Sequence, residues 1–272
     1  MYPRGGRVDG LQHLSTYFDT IEINSSFYRI PAPRTTSSWA KRVLANPEFR
    51  FTIKLYQGFT HDRTASPDDA RSFLSSLAPL AENGVLGAVL MQFPWSFKNE
   101  PESRSYLSAT LERFAAHPLV VEVRHLSWNQ AEFYAFLAEC GVGFCNIDQP
   151  LIGRSLAPSE RTTGPVGYVR LHGRNYRDWF REDAGRDARY DYLYSEEELD
   201  PWVEKISEVS RAASSTYVIT NNHFRGQAVV NALQIRSRIE GRKVAAPTQL
   251  LEHYPVLARS ADPDSSTQPR LF

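Results

Sequence analysis

Seven side chains with acid/base or electrostatic capability, Glu22, Lys54, Glu122, Arg124, Asp148, Arg170 and His172, stand at or just beyond the ends of short apolar runs. Buried carboxylates with displaced pKa values give and take protons, cationic side chains hold a carboxylate, a phosphate or a developing oxyanion, and a histidine carries protons between them. Glu22, Glu122, Asp148 and His172 are accordingly the candidate catalytic groups, and Lys54, Arg124 and Arg170 the electrostatic clamps. Asn24 and Gln92 sit beside them as neutral ligand contacts. Three acids against three bases is a poor donor set for a multinuclear metal site, which needs surplus negative charge. One ion held by Glu, Asp and His172 or His125 is the alternative, with no residue assigned as a metal ligand and no cofactor identified. Charged pairs also fill barrel interiors without any chemistry, and Glu122 with Arg124 fits that description when taken alone. Polar endings on every apolar run exceed what filling needs, because apolar layers do it more cheaply.

The elements that must position these groups are legible. Apolar runs at 18–28, 49–56, 86–94, 119–125, 141–148, 166–173 and 216–222 alternate with helix-length amphipathic segments near 9–17, 35–45, 67–83, 101–116, 129–140, 195–213 and 225–240. Ser66 before Pro67, Asp68 and Asp69, and Ser195 before three glutamates, are helix starts; Gly84, Gly141 and Gly241 are helix ends. Strands alternating with helices give a parallel sheet covered by helices, and a chain of 272 residues matches an α/β barrel of the TIM type. Active sites of such barrels lie at the C-terminal strand ends.

Strand alternation then sorts the side chains, with the apolar face turned to the helices. Ile21 and Ile23 outward leave Glu22 and Asn24 inward; Phe51, Ile53 and Leu55 outward leave Lys54 inward. Gln92, the Glu122/Arg124 pair and the set Tyr168, Arg170 and His172 follow in the same way. Cys145 and Ile147 outward place Asn146 and Asp148 inward, and the last strand is ambiguous between Asn221 and Asn222.

Composition removes several classes. With 31 basic and 31 acidic residues there is no global field for nucleic acid or an anionic membrane, and no apolar run reaches the roughly 20 residues of a membrane helix. Cys140 and Cys145 read as small buried residues of a reducing compartment, and the protein as cytoplasmic. Among nucleotide and acyl-transfer motifs, there is no P-loop, no paired-glycine dinucleotide fingerprint and no Gly-x-Ser-x-Gly elbow. The expected organisation is a barrel over 1–243, then a docking segment and tail over 244–272.

The runs YFDTIEINSSFYRIP, FRFTIKLYQGFTH, LGAVLMQFPWSF, VVEVRHLSW, YVRLHGR and TNNHFRGQAVVNAL, in that order over residues 2 to about 240, resemble the YecE-like family, domain of unknown function 72. The resemblance implies a TIM-type barrel with a polar pocket and no established activity. Its recurring polar positions fall here on Glu22, Asn24, Tyr28, Lys54, Thr60, His61, Gln92, Glu122, Arg124, His125, Trp128, Asp148, Arg170, His172, Asn222 and Asn231. From that set Tyr28, His125, Trp128 and Asn222 join the ligand contacts, Asn222 as the group that orients the ligand. Members of the family usually open with an extra strand ending in a Gly-Thr-Ser-Gly-Trp-like turn ahead of the Tyr-Pro found here as Tyr2-Pro3. Seven strands are therefore visible, and the expectation is a natural product longer by about 15–25 residues carrying the missing strand.

Two further segments suggest partners. Residues 174–194 interleave Arg174, Arg177, Arg181, Arg186 and Arg189 with aromatics, a combination that stacks on bases, yet five acids balance the charge, so a lid over the pocket is the first reading. The terminal Gln268-Pro269-Arg270-Leu271-Phe272 resembles peptides that dock on a bacterial sliding clamp. The functional expectation is an enzyme acting on a small polar or sugar-like substrate by acid/base chemistry; a DNA-associated repair hydrolase or binding module is the alternative.

Overall fold

In the computed structural model, residues 8–177, 181 and 190–264 are described. The chain begins with α1 (Gly10–Leu14), whose first turn is capped by Asp9, and enters β1 (Thr20–Ile23). Then follow α2 (Ser25–Tyr28), α3 (Pro33–Val43), β2 (Arg50–Lys54), α4 (Gln57–Thr60), α5 (Pro67–Glu82), β3 (Leu86–Gln92), α6 (Pro101–Phe114), β4 (Leu119–Glu122), α7 (Ala131–Glu139), β5 (Gly143–Asp148) and β6 (Val166–Leu171). The last barrel elements are α8 (Glu196–Ala212), β7 (Ser215–Thr220) and α9 (Gln227–Glu240). The serines expected to start helices do so: Ser66 and Ser195 each accept from the third helical amide while Asp69 and Glu198 reach back, closing capping boxes on α5 and α8.

Seven parallel strands form one sheet in the order β1 to β7, rolled into a nearly closed barrel flanked by helices. Among the described residues β1 hydrogen-bonds only to β2 and β7 only to β6, so the two end strands face each other without a ladder. Phe51, Ile53, Val89, Met91, Val121, Val123 and Val169 fill the layer between strands and helices, all fully buried.

The interior is filled from the bottom. Tyr217 crosses from β7 to the start of β3, where a Cβ on Gly87 would lie 2.4 Å from its hydroxyl. Only glycine leaves that space. One layer higher, Tyr168 crosses from β6, and its hydroxyl meets Thr52 and Glu22, each at 2.8 Å. The polar groups expected at the strand ends lie above this aromatic floor.

The β5–β6 connection, 149–165, contains no helix. It folds back along the outside of β5, where Asn146 accepts from Ser159 Oγ at 2.7 Å and Arg161 N at 2.8 Å and donates to Arg161 O at 2.8 Å. This reverses the alternation expected on β5: Gly143 and Cys145 face the interior, with Cys145 Sγ 3.9 Å from Glu122 Oε2, and Asn146 and Asp148 face out. The outer face is apolar at Phe144, which packs on Phe133 and Tyr134 of α7, but turns polar at Asn146, where the loop replaces the helix. Cys145 is buried, but Cys140, at the C-cap of α7, is exposed; both are free thiols.

Beyond α9, β8 (Val244–Ala246) and β9 (Ala261–Pro263) form a small parallel sheet with α10 (Thr248–His253) between them. Val244, Ala246, Leu250, Leu257 and Ala261 pack on Val230 and Leu233 of α9. The terminal peptide 268–272 lies outside the described residues.

Candidate functional site

Arg170, at the C-terminal end of β6, is the centre of the polar layer. Its Nη2 donates to Glu22 Oε1 and its Nη1 to Glu122 Oε2, both at 2.6 Å, so one guanidinium joins carboxylates from opposite sides of the barrel. All three side chains are essentially excluded from solvent. Arg124 closes the network from β4, its Nε and Nη2 lying 2.9 and 2.8 Å from Glu122 Oε1. Burial by itself would push the Glu122 carboxyl up, but the charges of Arg170 and Arg124 outweigh it and hold the group well below the usual carboxylate range.

His172 lies just beyond β6, fully buried, with Nε2 3.4 Å from Glu122 Oε1 and Nδ1 3.1 Å from Asn221 Nδ2. Arg124 Nη2 lies 3.4 Å from the same Nε2, so the ring is wedged between the Glu122–Arg124 pair and Asn221. Burial first, then the Arg124 charge, lower its pKa to about 3, so the ring stays neutral at physiological pH.

Lys54, on β2, is held differently. Its Nζ donates to Gln92 Oε1 at 2.8 Å and lies 3.9 Å from the centre of the Phe27 ring. Among the described residues no carboxylate approaches within salt-bridge distance of it. Burial, then repulsion by Arg170, lowers its pKa to about 7.

A cavity of about 300 Å³ opens above this layer, lined by Asn24, Tyr28, Lys54, Gln92, Arg124, Arg170, Tyr190, Asn221 and His223. Glu22, Lys54, Glu122, Arg124, Arg170 and His172 are thus brought together, with Asn24, Tyr28 and Gln92 at the rim or wall. Four expected residues stand elsewhere. Asp148 faces away from the cavity and accepts from Arg174 Nε at 2.9 Å, a contact that continues from Arg174 to Glu198 of α8. Its pKa is raised by burial despite Arg174. Asn222 also points outward, donating to Tyr192 O at 2.7 Å and to Asn231 Oδ1 at 2.8 Å; Asn221, its neighbour, is the pocket residue. His125 caps a single turn through Ser127 and packs edge-on against Trp95. Trp128 donates to Phe97 O at 2.7 Å and stacks on the Phe97 ring as a core residue.

Reasoning from sequence leaves Asn221 and Asn222 undecided and assigns neither Tyr190 nor His223 as a ligand contact, although His223 follows the two asparagines at the border of the pocket. Strand phase gives Asn221 once Tyr217 and Ile219 are recognised as the inward side chains of β7, in step with Tyr168 and Arg170. Tyr190 and His223 come from connections, their rings 4.7 Å apart, and strand alternation is silent about them. Much of the expected arginine and aromatic lid lies outside the described residues; Tyr190, Tyr192 and Tyr194 from its end are described, and Tyr194 is buried against α8, its hydroxyl accepting from Gly173 N at 2.8 Å. Among the described residues no group of three or more His, Cys, Asp or Glu could hold a metal ion, and no helix is long and apolar enough to cross a membrane.

A parallel β/α barrel whose mouth holds an arginine-centred polar layer is the class that fold and site define. Comparison with known proteins narrows it: the family model described as protein of unknown function DUF72 matches residues 1–253, and the chain belongs to that family. It is 32% identical over 249 residues to the UPF0759 protein YunF of Bacillus subtilis (strain 168), covering 86% of this chain and 87% of that one. Among solved structures, a DUF72 family protein of Enterococcus faecalis V583 superimposes with a TM-score of 0.78 at 30% identity, covering 85% of this chain and 88% of that one. Another, from Thermotoga maritima MSB8, gives 0.76 at 36% identity, covering 86% and 91%.

Proposed function

We propose that the protein is an enzyme that binds a small, singly charged polar compound, an organic or sugar acid, in the barrel-mouth cavity and exchanges a proton with it through Lys54. The observation that carries this reading is the charge left over in the polar layer. Glu22 and Glu122 are both committed to arginines, His172 is neutral, and Lys54 is the third cation. The layer therefore carries one net positive charge when Lys54 is protonated and none when it is not. An anion entering a buried site of that kind gains most from the protonated form, and proton loss from Lys54 is then coupled to ligand chemistry. A volume of about 300 Å³ suits a compound of few heavy atoms.

The roles expected for the carboxylates change under this reading. A general acid must hold its proton near neutral pH, and Glu122, clamped by two arginines, does not. Glu22 and Glu122 act as the frame that orients Arg170 and Arg124, and His172 steadies Glu122 and Asn221. Arg124 is the anion contact, because its side chain retains 16% exposure and its Nη1 makes no hydrogen bond among the described residues. The nucleic-acid alternative has less in its favour: Arg174, at the base of the arginine-rich connection, is committed to Asp148 and Glu198.

Calorimetric titration with small carboxylic acids, phosphates and uncharged sugars tests the reading. Acids should bind, and Arg124→Gln should weaken them by about 10-fold or more, the scale of one charge-assisted hydrogen bond. Equal binding of uncharged sugars by wild type and variant would overturn it.

A further inference from the structure

We infer that Lys54 is a covalent catalyst that forms an imine with the carbonyl carbon of a small oxo acid, the carboxylate of which lies against Arg124. The inference rests on the anion-binding reading above and adds to it a nucleophile and a substrate class. Lysine is scarce in this chain, with Lys41, Lys54, Lys98, Lys205 and Lys243 the only five among 31 basic residues. Lys41, Lys98 and Lys243 are exposed, Lys205 pairs with Glu160 near the surface, and Lys54 alone is buried, at 8% exposure, in the wall of a cavity.

The surroundings of Nζ are those of a nucleophile rather than of an ion-pair partner. Its hydrogen-bond partner among the described residues, Gln92 Oε1, is a neutral acceptor that takes one N–H and so restricts the direction of the amine. Gln92 is itself fixed, donating through Nε2 to Phe93 O at 3.1 Å. The Phe27 face covers another side of Nζ, and the buried Arg170 supplies like charge. Desolvation and a neighbouring cation are the two devices by which proteins keep a lysine amine neutral enough to attack a carbonyl. A pKa near 7 leaves a large fraction of Lys54 unprotonated at physiological pH.

The step balances without any oxidant or reductant. The Nζ lone pair attacks the carbonyl carbon, a C–N bond forms, and the carbonyl π pair moves to oxygen, which takes up the proton that nitrogen releases. The resulting carbinolamine loses water as the nitrogen lone pair forms the C=N bond, and one proton from solvent leaves the product as an iminium ion. The positive charge of Lys54 is thereby restored on the imine nitrogen. That iminium is an electron sink for proton removal or bond cleavage at the adjacent carbon.

The test is reductive trapping on the intact wild-type protein. Glyoxylate or pyruvate is added with cyanoborohydride at pH 7, and peptide mapping by mass spectrometry locates the secondary amine formed when hydride reduces the iminium carbon. Lys54 should be labelled about 10-fold or more faster than Lys41, Lys98, Lys205 or Lys243, since ordinary lysine amines lose their proton only near pH 10.4. Glycolate and lactate, which carry the carboxylate but no carbonyl, should protect Lys54. Lys54→Arg, which keeps the charge without the nucleophile, should still bind glycolate and lose the adduct. The four surface lysines serve as internal controls, so the result does not depend on any variant folding. Binding of glycolate without labelling of Lys54 by either oxo acid would overturn the imine and leave the anion site standing. Absence of both binding and labelling would overturn the two together.

Discussion

Two buried charge networks lie close together in this barrel and behave oppositely. Inside, Glu22 and Glu122 meet at Arg170, and Arg124 and Lys54 complete a layer that faces open volume. Outside, Asp148 meets Arg174, which reaches Glu198, with Tyr194 packed alongside and α8 closing the group off. Both use carboxylates at strand ends. The inner network holds Glu122 ionised far into acid, whereas burial raises the pKa of Asp148 despite its arginine. What separates a candidate site from a structural pair is the presence of an extra cation beside a cavity, not the presence of buried charge.

The comparison breaks most readily at Arg170. Arg170→Met leaves two carboxylates buried without their common partner and should destabilise the fold by about 3–5 kcal/mol in urea denaturation. Arg174→Met, its counterpart outside, should lose about 1 kcal/mol or less, since that guanidinium is partly exposed. Equal losses would mean that the two networks do the same structural work.

Next in size is Lys54. Its folded pKa lies below the unfolded value, so the unfolded chain binds more protons between about pH 7 and 10.4, and stability rises with pH across that window. Lys54→Met removes that slope and should be more stable than wild type at pH 6 by about 1–3 kcal/mol, while losing anion binding. A variant less stable than wild type at that pH would show that the buried ammonium is stabilised by contacts other than those described.

Acid titration separates the carboxylates by sign. The folded pKa of Glu122 is depressed, so its contribution is present above the unfolded value of 4.5 and is lost as pH falls through the folded value. The folded pKa of Asp148 is raised above 3.8, so its contribution is present below that value and is lost as pH rises through the folded one. Denaturation midpoints measured from pH 3 to 7 should therefore show Glu122→Gln flattening the acid loss of stability. Asp148→Asn should change stability at pH 7 by no more than about 1 kcal/mol. The smallest contrast is between neighbours: Asn222→Ala should lower stability by about 1–3 kcal/mol with ligand affinity unchanged, and Asn221→Ala should do the reverse.

The barrel and most of its polar layer were legible because helices cover the relevant strands. Val121 and Val123 on β4, and Val169 on β6 under α8, are fully buried in the outer layer, and Glu122, Arg124 and Arg170, in the opposite phase, are forced inward. Asp148 was misplaced because the outer face of β5 is polar beyond Phe144, with Asn146 held by Ser159 and Arg161 and Asp148 by Arg174; the bulky Phe144, in phase with both, was the available sign that this face looks outward. Asn222 was chosen over Asn221 where alternation runs out, just past the end of β7. His125 and Trp128 follow β4 in a turn whose geometry is set by Ser127 and Phe97, contacts that no periodicity encodes. That Lys54 is the cation of the polar layer with no carboxylate at salt-bridge distance among the described residues also required coordinates, since composition counts charges and does not pair them.

Tyr217, reaching across to Gly87, makes the barrel a cup rather than a tube. Under the proposed function a ligand would enter and leave by the same mouth, beside Tyr28 and Tyr190, so that exchange at the rim, and not flow from end to end, would set how soon one molecule replaces another.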